Sequence, residues 1–389
     1  MMKKLITAVA GIGAIVALTG APVAASAATS TWTVQPTPLP SGATNGTLQS
    51  VRCFSANSCT VVGDFIKKRT EQPLGGRWDG SSWSSQATPL PSGATGGVLW
   101  GIACATATNC FAVGGSYSGP NLPAQPLAEQ WNGSTWSLVS MPSPAGSTGA
   151  SLAAASCVSA TNCTAVGNYQ RTSGANTLVR PLAESWNGTT WSIQSTSEVT
   201  DGPSMSLTGV SCTSSKSCLA VGKTSTVALA ERWNGKKWSV LTIPDATGVQ
   251  LNAISCAAAT NCTAVGSADV SGTADWAEWA GHWDGSSWST QTMPVPAGSM
   301  ISQLNGVSCA TAVHCTAVGW STKNYPHALD ATAEQWNGST WKVESTAQPA
   351  THQLLQAISC PAATVCAAVG ALALKGPSLP DEQPLAEQS

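Results

Sequence analysis

The sequence predicts an all-β fold: a seven-bladed β-propeller with four antiparallel strands per blade, one disulfide per blade, and a last blade closed by the N-terminal strand. Three observations carry this expectation. Seven Cys pairs share one spacing, six Trp-turn-Trp blocks follow them in register, and the two ends of the chain hold complementary halves of one further unit. Composition agrees. The 389 residues include 37 Gly, 23 Pro, 14 Cys and 17 Trp, but only 3 Tyr and 3 Phe, which suits an ordered, turn-rich and disulfide-bearing β protein. Only 9% of residues are charged and the formal net charge is -2. That excludes a polybasic nucleic-acid binder and a charged disordered tail.

The N-terminus reads as an export signal. Lys3 and Lys4 precede an uncharged apolar run from Leu5 to Gly20, and Ala25-Ser26-Ala27 supplies the small residues a signal peptidase accepts. Residues 1–27 are therefore expected to be removed, leaving 28–389 as a single propeller domain. The apolar run is shorter than the roughly 20 residues of a spanning helix and is interrupted by Gly11 and Gly13. No membrane span is expected after cleavage, and a secreted, extracellular location would allow disulfides to persist.

The pairs are Cys53 and Cys59, Cys104 and Cys110, Cys157 and Cys163, Cys212 and Cys218, Cys256 and Cys262, Cys309 and Cys315, and Cys360 and Cys366. None is left over. They recur with a period near 50, which marks a repeat architecture. Each unit opens with an apolar strand, such as Leu207 to Ser211, that runs into the first Cys. The second Cys opens a strand ending in a motif like Ala220-Val221-Gly222. After a variable stretch come Leu-Ala-Glu-x-Trp, as at Leu127 to Trp131, an Asn-Gly or Asp-Gly pair, a second Trp and a last short strand.

Asn132-Gly133 and its counterparts suit a two-residue type I′ hairpin, because both residue types tolerate positive φ. Such a turn would set Glu129 opposite Trp136 on one face. A disulfide across the mouth of each first hairpin closes a loop of about seven residues and contributes roughly 2 kcal/mol by chain entropy. A metal site would want Cys-x2-Cys or Cys/His spacing instead. The Trp pairs and the recurring Glu129, Glu184, Glu231, Glu334 and Glu387 occupy equivalent positions in many units. That repetition favours packing between blades over sugar stacking for the Trp pairs, and a structural hydrogen-bonding role beside the Trp over acid catalysis for the Glu.

The chain ends at Leu385 to Ser389, a third strand without a fourth, and Trp32-Thr33-Val34 resembles a fourth without a third. Joining them closes a ring, where an open solenoid would carry capping repeats. The Gly-ended second strand, the aromatic before the turn and the Trp after it resemble kelch-like repeats. The Cys pair with Trp-Asn-Gly-x-x-Trp is similar to that of secreted bacterial seven-bladed propeller proteins of unassigned function. At the end of the second strand a Gly-Gly doublet, usual in kelch units, is present only at Gly114-Gly115.

In such a blade the 1–2 and 3–4 connections emerge on one face and here barely vary, whereas the 2–3 and 4–1 connections on the other face vary in length and content. Binding usually resides in variable loops on a rigid scaffold. The ligand-binding candidates are Tyr117, Tyr169, Trp276, Trp320 and Tyr325, together with Trp100, Asn252, Asn305 and Gln356 where the innermost strands reach that mouth of the channel. Ser50, Ala153 and Thr208 are expected in the same ring of channel positions. The expected partner is an extracellular glycan or protein, bound by a monomer without cofactor, metal or catalytic residue. The alternative is a polysaccharide hydrolase or lyase, for which Asp64, Asp269 and Asp330 are the carboxylates near that face.

Overall fold

In the computed structural model, the described residues are 32–86, 88–119, 122–197, 202–270, 275–323, 328–350, 352–373 and 382–389. The expected export segment and Tyr325 lie outside them. Twenty-eight strands form seven antiparallel sheets of four. Blade 1 comprises Asn45–Ser55, Ser58–Lys67, Thr70–Trp78 and Trp83–Gln86, and blades 2 to 6 repeat this order. Blade 7 takes Gln353–Ala362, Val365–Ala373 and Glu382–Gln388 from the C-terminal end and Thr33–Gln35 from the N-terminal end. Thr33 pairs with Gln388 and Gln35 with Ala386, so the ring closes as the incomplete ends require. All seven Cys pairs are joined within their own hairpins.

The Asn-Gly turn differs from the sequence expectation. Trp131 pairs directly with Trp136, and Glu129 faces Leu138, so the loop has four residues and not two. Gly133 has positive φ but Asn132 does not. The reason lies in the Asn side chain: its Oδ1 accepts the backbone N–H groups of Ser134 and Thr135, both at 2.9 Å, and so closes a wider turn than a type I′ pair. The paired indoles then meet at centroid distances of 5.6 to 5.8 Å in six blades. Two-residue turns with positive φ do occur, but at Lys68-Arg69 on the opposite face.

The indole N–H groups that are bonded divide into two sets. The indole N–H of Trp78 donates to the carbonyl of Ala56, and that of Trp186 to Ala160, tying the hairpin to the 1–2 turn of the same blade. Trp136, Trp238 and Trp341 instead donate to Gln86, Gln194 and Gln291 of the preceding blade. The apolar core is likewise divided into contacts between neighbours. Leu219, Val221 and Ala230 of blade 4 pack with Leu251, Ile254, Trp283 and Trp288 of blade 5.

Between blades lie the recurring carboxyls. Glu129, Glu184, Glu231, Glu334 and Glu387 are fully buried. The residue six positions after the second Trp of the preceding blade sorts them. It is Ser197 before Glu231, whose backbone N–H donates to the carboxyl at 3.2 Å, and Ala347 before Glu387, whose N–H favours the charged carboxyl without reaching the geometry of a hydrogen bond. It is Pro89 before Glu129 and Pro142 before Glu184, which have no N–H to give. Accordingly burial pushes Glu129 and Glu184 up to about 8, whereas Glu231 and Glu387, each relieved by a nearby backbone N–H, rise to about 7. The expected hydrogen-bonding role thus holds at Glu231, while Glu129, Glu184 and Glu387 have no partner at hydrogen-bond geometry. The corresponding residue before Glu334 is Pro294, and Glu334 lies beside buried Glu278, with burial raising both.

Candidate functional site

In every blade the ladder between the first two strands slips by one residue just after a buried Leu. Opposite that Leu stands the Gly of the Ala-Val-Gly motif, for example Gly222 opposite Leu207 and Gly319 opposite Leu304. A Cβ on it would run into the carbonyl oxygen of the residue before the Leu. The glycine therefore permits the close approach that the bulge needs. The extra residue of each bulge lines the channel.

Those residues are Gln49, Trp100, Ala153, Thr208, Asn252, Asn305 and Gln356, and they ring a chamber of about 210 Å³. In blade 1 the bulged residue is Gln49, so the assignment of Ser50 to this ring is off by one position. Three members also bridge blades. Thr208 Oγ1 donates to Leu251 O at 2.7 Å, Asn252 Nδ2 to Leu304 O at 2.8 Å and Asn305 Nδ2 to Leu355 O at 2.9 Å. Asn305 Oδ1 further accepts Gln303 Nε2 at 2.7 Å. Trp100 is half-buried, and its indole lies where a Cβ on Gly115 would sit 3.1 Å away, which accounts for the second glycine of Gly114-Gly115.

Beside Trp100 in the ring, Gln49 Nε2 donates to the Asp64 carboxylate at 3.2 Å. Burial, with smaller contributions from Glu71 and Glu382, raises Asp64 to about 6 despite that bond. The other expected residues stand on second or third strands, outside the lining of this chamber. Tyr117 pairs with Gly96, Tyr169 with Arg180, Trp276 with Asp269, and Trp320 with Ala331. Tyr169 also packs against the core between blades 2 and 3. The structure therefore gathers Trp100, Asn252, Asn305 and Gln356, but not the four rim aromatics, around one opening.

A second, larger chamber of about 550 Å³ lies on the cysteine side. The residues two before each first Cys, from Val51 and Ile102 to Ala155 and Ile358, line both chambers and form an apolar girdle between them. Sequence reasoning missed this chamber, and with it Arg52. Its signal is the residue preceding each first Cys, which is Ser in five blades, Arg52 in blade 1 and Ala103 in blade 2. Among the described residues no group of three or more His, Cys, Asp or Glu side chains is placed to hold a metal ion.

Fold and channel define the protein as a disulfide-stapled seven-bladed β-propeller. No family model and no curated protein matches the sequence. Solved structures do share the fold. The chain is similar to YCF48 from Cyanidioschyzon merolae, with 13% identity over 92% of this chain and 98% of that one and a TM-score of 0.53. It is also similar to the GH74 xyloglucanase from Xanthomonas campestris, at 12% identity and TM-score 0.52, covering 91% of this chain but 55% of the enzyme. The PL25 ulvan lyase matches at 10% identity over 89% of this chain and 94% of that chain, with a TM-score of 0.53.

Proposed function

We propose that this protein is a secreted binding module that takes an extracellular carbohydrate or protein partner at the face bearing the 2–3 and 4–1 connections. The observation that supports the reading is the smaller chamber, where a half-buried Trp100 stands among Gln49, Asn252, Asn305 and Gln356 at a concave mouth. An indole face with converging amides is the chemistry that recognises a sugar ring or an extended peptide. Seven disulfides and seven stapled hairpins suit work outside the cell.

A second reading rests on Asp64. A carboxyl raised to about 6 beside the same mouth has the protonation behaviour of a general acid, which a polysaccharide hydrolase or lyase requires. The xyloglucanase and ulvan lyase show that this fold carries such chemistry in other proteins. The test is a screen of glycans and cell-wall polysaccharides against residues 28–389, beside folded Trp100→Ala, Trp320→Ala and Asp64→Asn variants. Saturable binding that Trp100→Ala abolishes supports the binding module, and product release that Asp64→Asn abolishes supports the enzyme. Absence of both for every polysaccharide would turn the reading to a protein partner, and a polysaccharide signal unchanged in all variants would overturn this face as the site.

A further inference from the structure

The larger chamber carries a ring of hydrogen bonds with one gap. The Cys pairs have Cα–Cα separations of 3.9 to 4.1 Å, which marks narrow, non-hydrogen-bonded positions of the ladder. The N–H of each first Cys therefore points away from its partner strand. In five blades a serine of the preceding blade accepts it. Ser156 takes the N–H of Cys212, Ser211 that of Cys256, Ser255 that of Cys309, Ser308 that of Cys360 and Ser359 that of Cys53, all at 2.9 to 3.0 Å.

Two blades break the pattern. The residue that would serve Cys104 is Arg52, and the residue that would serve Cys157 is Ala103. Neither side chain has an oxygen to offer. One gap is thus doubly donor-rich, because Arg52 replaces an acceptor with a guanidinium and is the only charged residue in the lining of the chamber. Its Cζ lies 5.7 Å from the centroid of the Phe54 ring, which holds the planar group by cation–π contact. Two backbone N–H groups on neighbouring strands and a planar guanidinium are matched by an oxyanion, which accepts from all of them.

We propose that the cysteine-side chamber binds an oxyanion group, carboxylate or sulfate-like, between Arg52 and the N–H groups of Cys104 and Cys157. The site is separate from the mouth at Trp100, since the apolar girdle lies between them. The five sealed cysteines provide an internal control. In the oxidised, deuterated chain labelled with 15N-cysteine, titration with sulfate, and separately with acetate, at constant ionic strength should move the Cys104 and Cys157 amide signals saturably. The signals of Cys53, Cys212, Cys256, Cys309 and Cys360 should stay in place.

Arg52→Ser rebuilds the serine pattern and should weaken the shifts by about tenfold or more, the loss expected for a charge-assisted contact. Arg52→Gln, which keeps much of the side-chain volume, should do the same if the serine variant does not fold. A response to acetate but not sulfate would assign a carboxylate ligand, and the reverse a tetrahedral one. The proposal is overturned if neither anion shifts the two amides by about 100 mM, a hundredfold above a millimolar site. Equal dissociation constants in the original chain and a folded Arg52 variant would overturn it as well.

Discussion

Ser359 in the last blade accepts the backbone N–H of Cys53 in the first at 2.9 Å, across 306 positions of sequence. It is the same bond that four other serines make between consecutive blades, so the closure of the ring is chemically identical to its interior joints. Ser359 is 4% exposed, so the bond is largely shielded from solvent. Ser359→Ala should therefore cost about 1–2 kcal/mol by leaving a buried donor unpaired. Urea denaturation of the oxidised chain reads this directly, and an unchanged midpoint would show that the joint does not depend on the bond.

The buried carboxyls give the protein a pH dependence of definite sign. An unfolded Glu titrates near 4.5, whereas Glu129 and Glu184 hold their protons in the native state up to about 8. Between these values the native state binds more protons, so stability falls as pH rises. The contribution is full below pH 4.5 and lost above about 8. Asp79 acts oppositely, but its contribution disappears only as pH falls toward about 2. Unfolding should thus need more urea at pH 5 than at pH 8.5, and Glu129→Gln should flatten the difference.

The prolines make a finer test of the same carboxyls. Pro142→Ala would supply the N–H that Ser197 supplies to Glu231. Glu184 should then titrate near the value of about 7 that Glu231 shows, and no longer near about 8. Carboxyl 13C chemical shifts followed against pH distinguish these cases, and a Glu184 midpoint unmoved by the substitution would detach proline from the effect.

Gly319→Ala should be among the most damaging single-methyl changes in the chain. The added Cβ meets the Gln303 carbonyl oxygen, which the bulge before Leu304 holds in place. Relief requires the innermost strand to move, at a cost of about 3 kcal/mol. A thermal unfolding midpoint within a degree of the original would show that the approach is not needed.

The Lys68-Arg69 turn offers the opposite case. Both residues have positive φ, at 52° and 67°, where side chains are strained. Replacing the pair by Asn-Gly should stabilise blade 1 by about 1 kcal/mol without altering its register. Denaturant midpoints of the two chains measure the gain.

The architecture was legible because it is written seven times. Evenly spaced Cys pairs, Gly-ended strands and complementary chain ends left one arrangement in which every unit is complete, and the pairing of Thr33 with Gln388 matches it. The Asn-Gly turn was misread because side-chain capture of two N–H groups by Asn132 competes with the backbone preference from which the turn type was inferred. The ring at the smaller mouth was read nearly in full, with Gln49 displaced to Ser50, since a bulge shifts register and a sequence does not display bulges.

The sequence by itself determined what repetition can encode: strand order, disulfide partners, the closing strand and the division into uniform and variable faces. These follow from local chemistry, in which each unit specifies its own hairpins and passes the same edges to its neighbour. Only the tertiary structure decided which side chains converge. Arg52 and Cys104 line one chamber, Ser197 bonds Glu231, and Gln49 bonds Asp64 because neighbouring blades or bulged strands bring them together. Such contacts depend on register and on the packing of one blade against the next, and neither is a property of any single repeat.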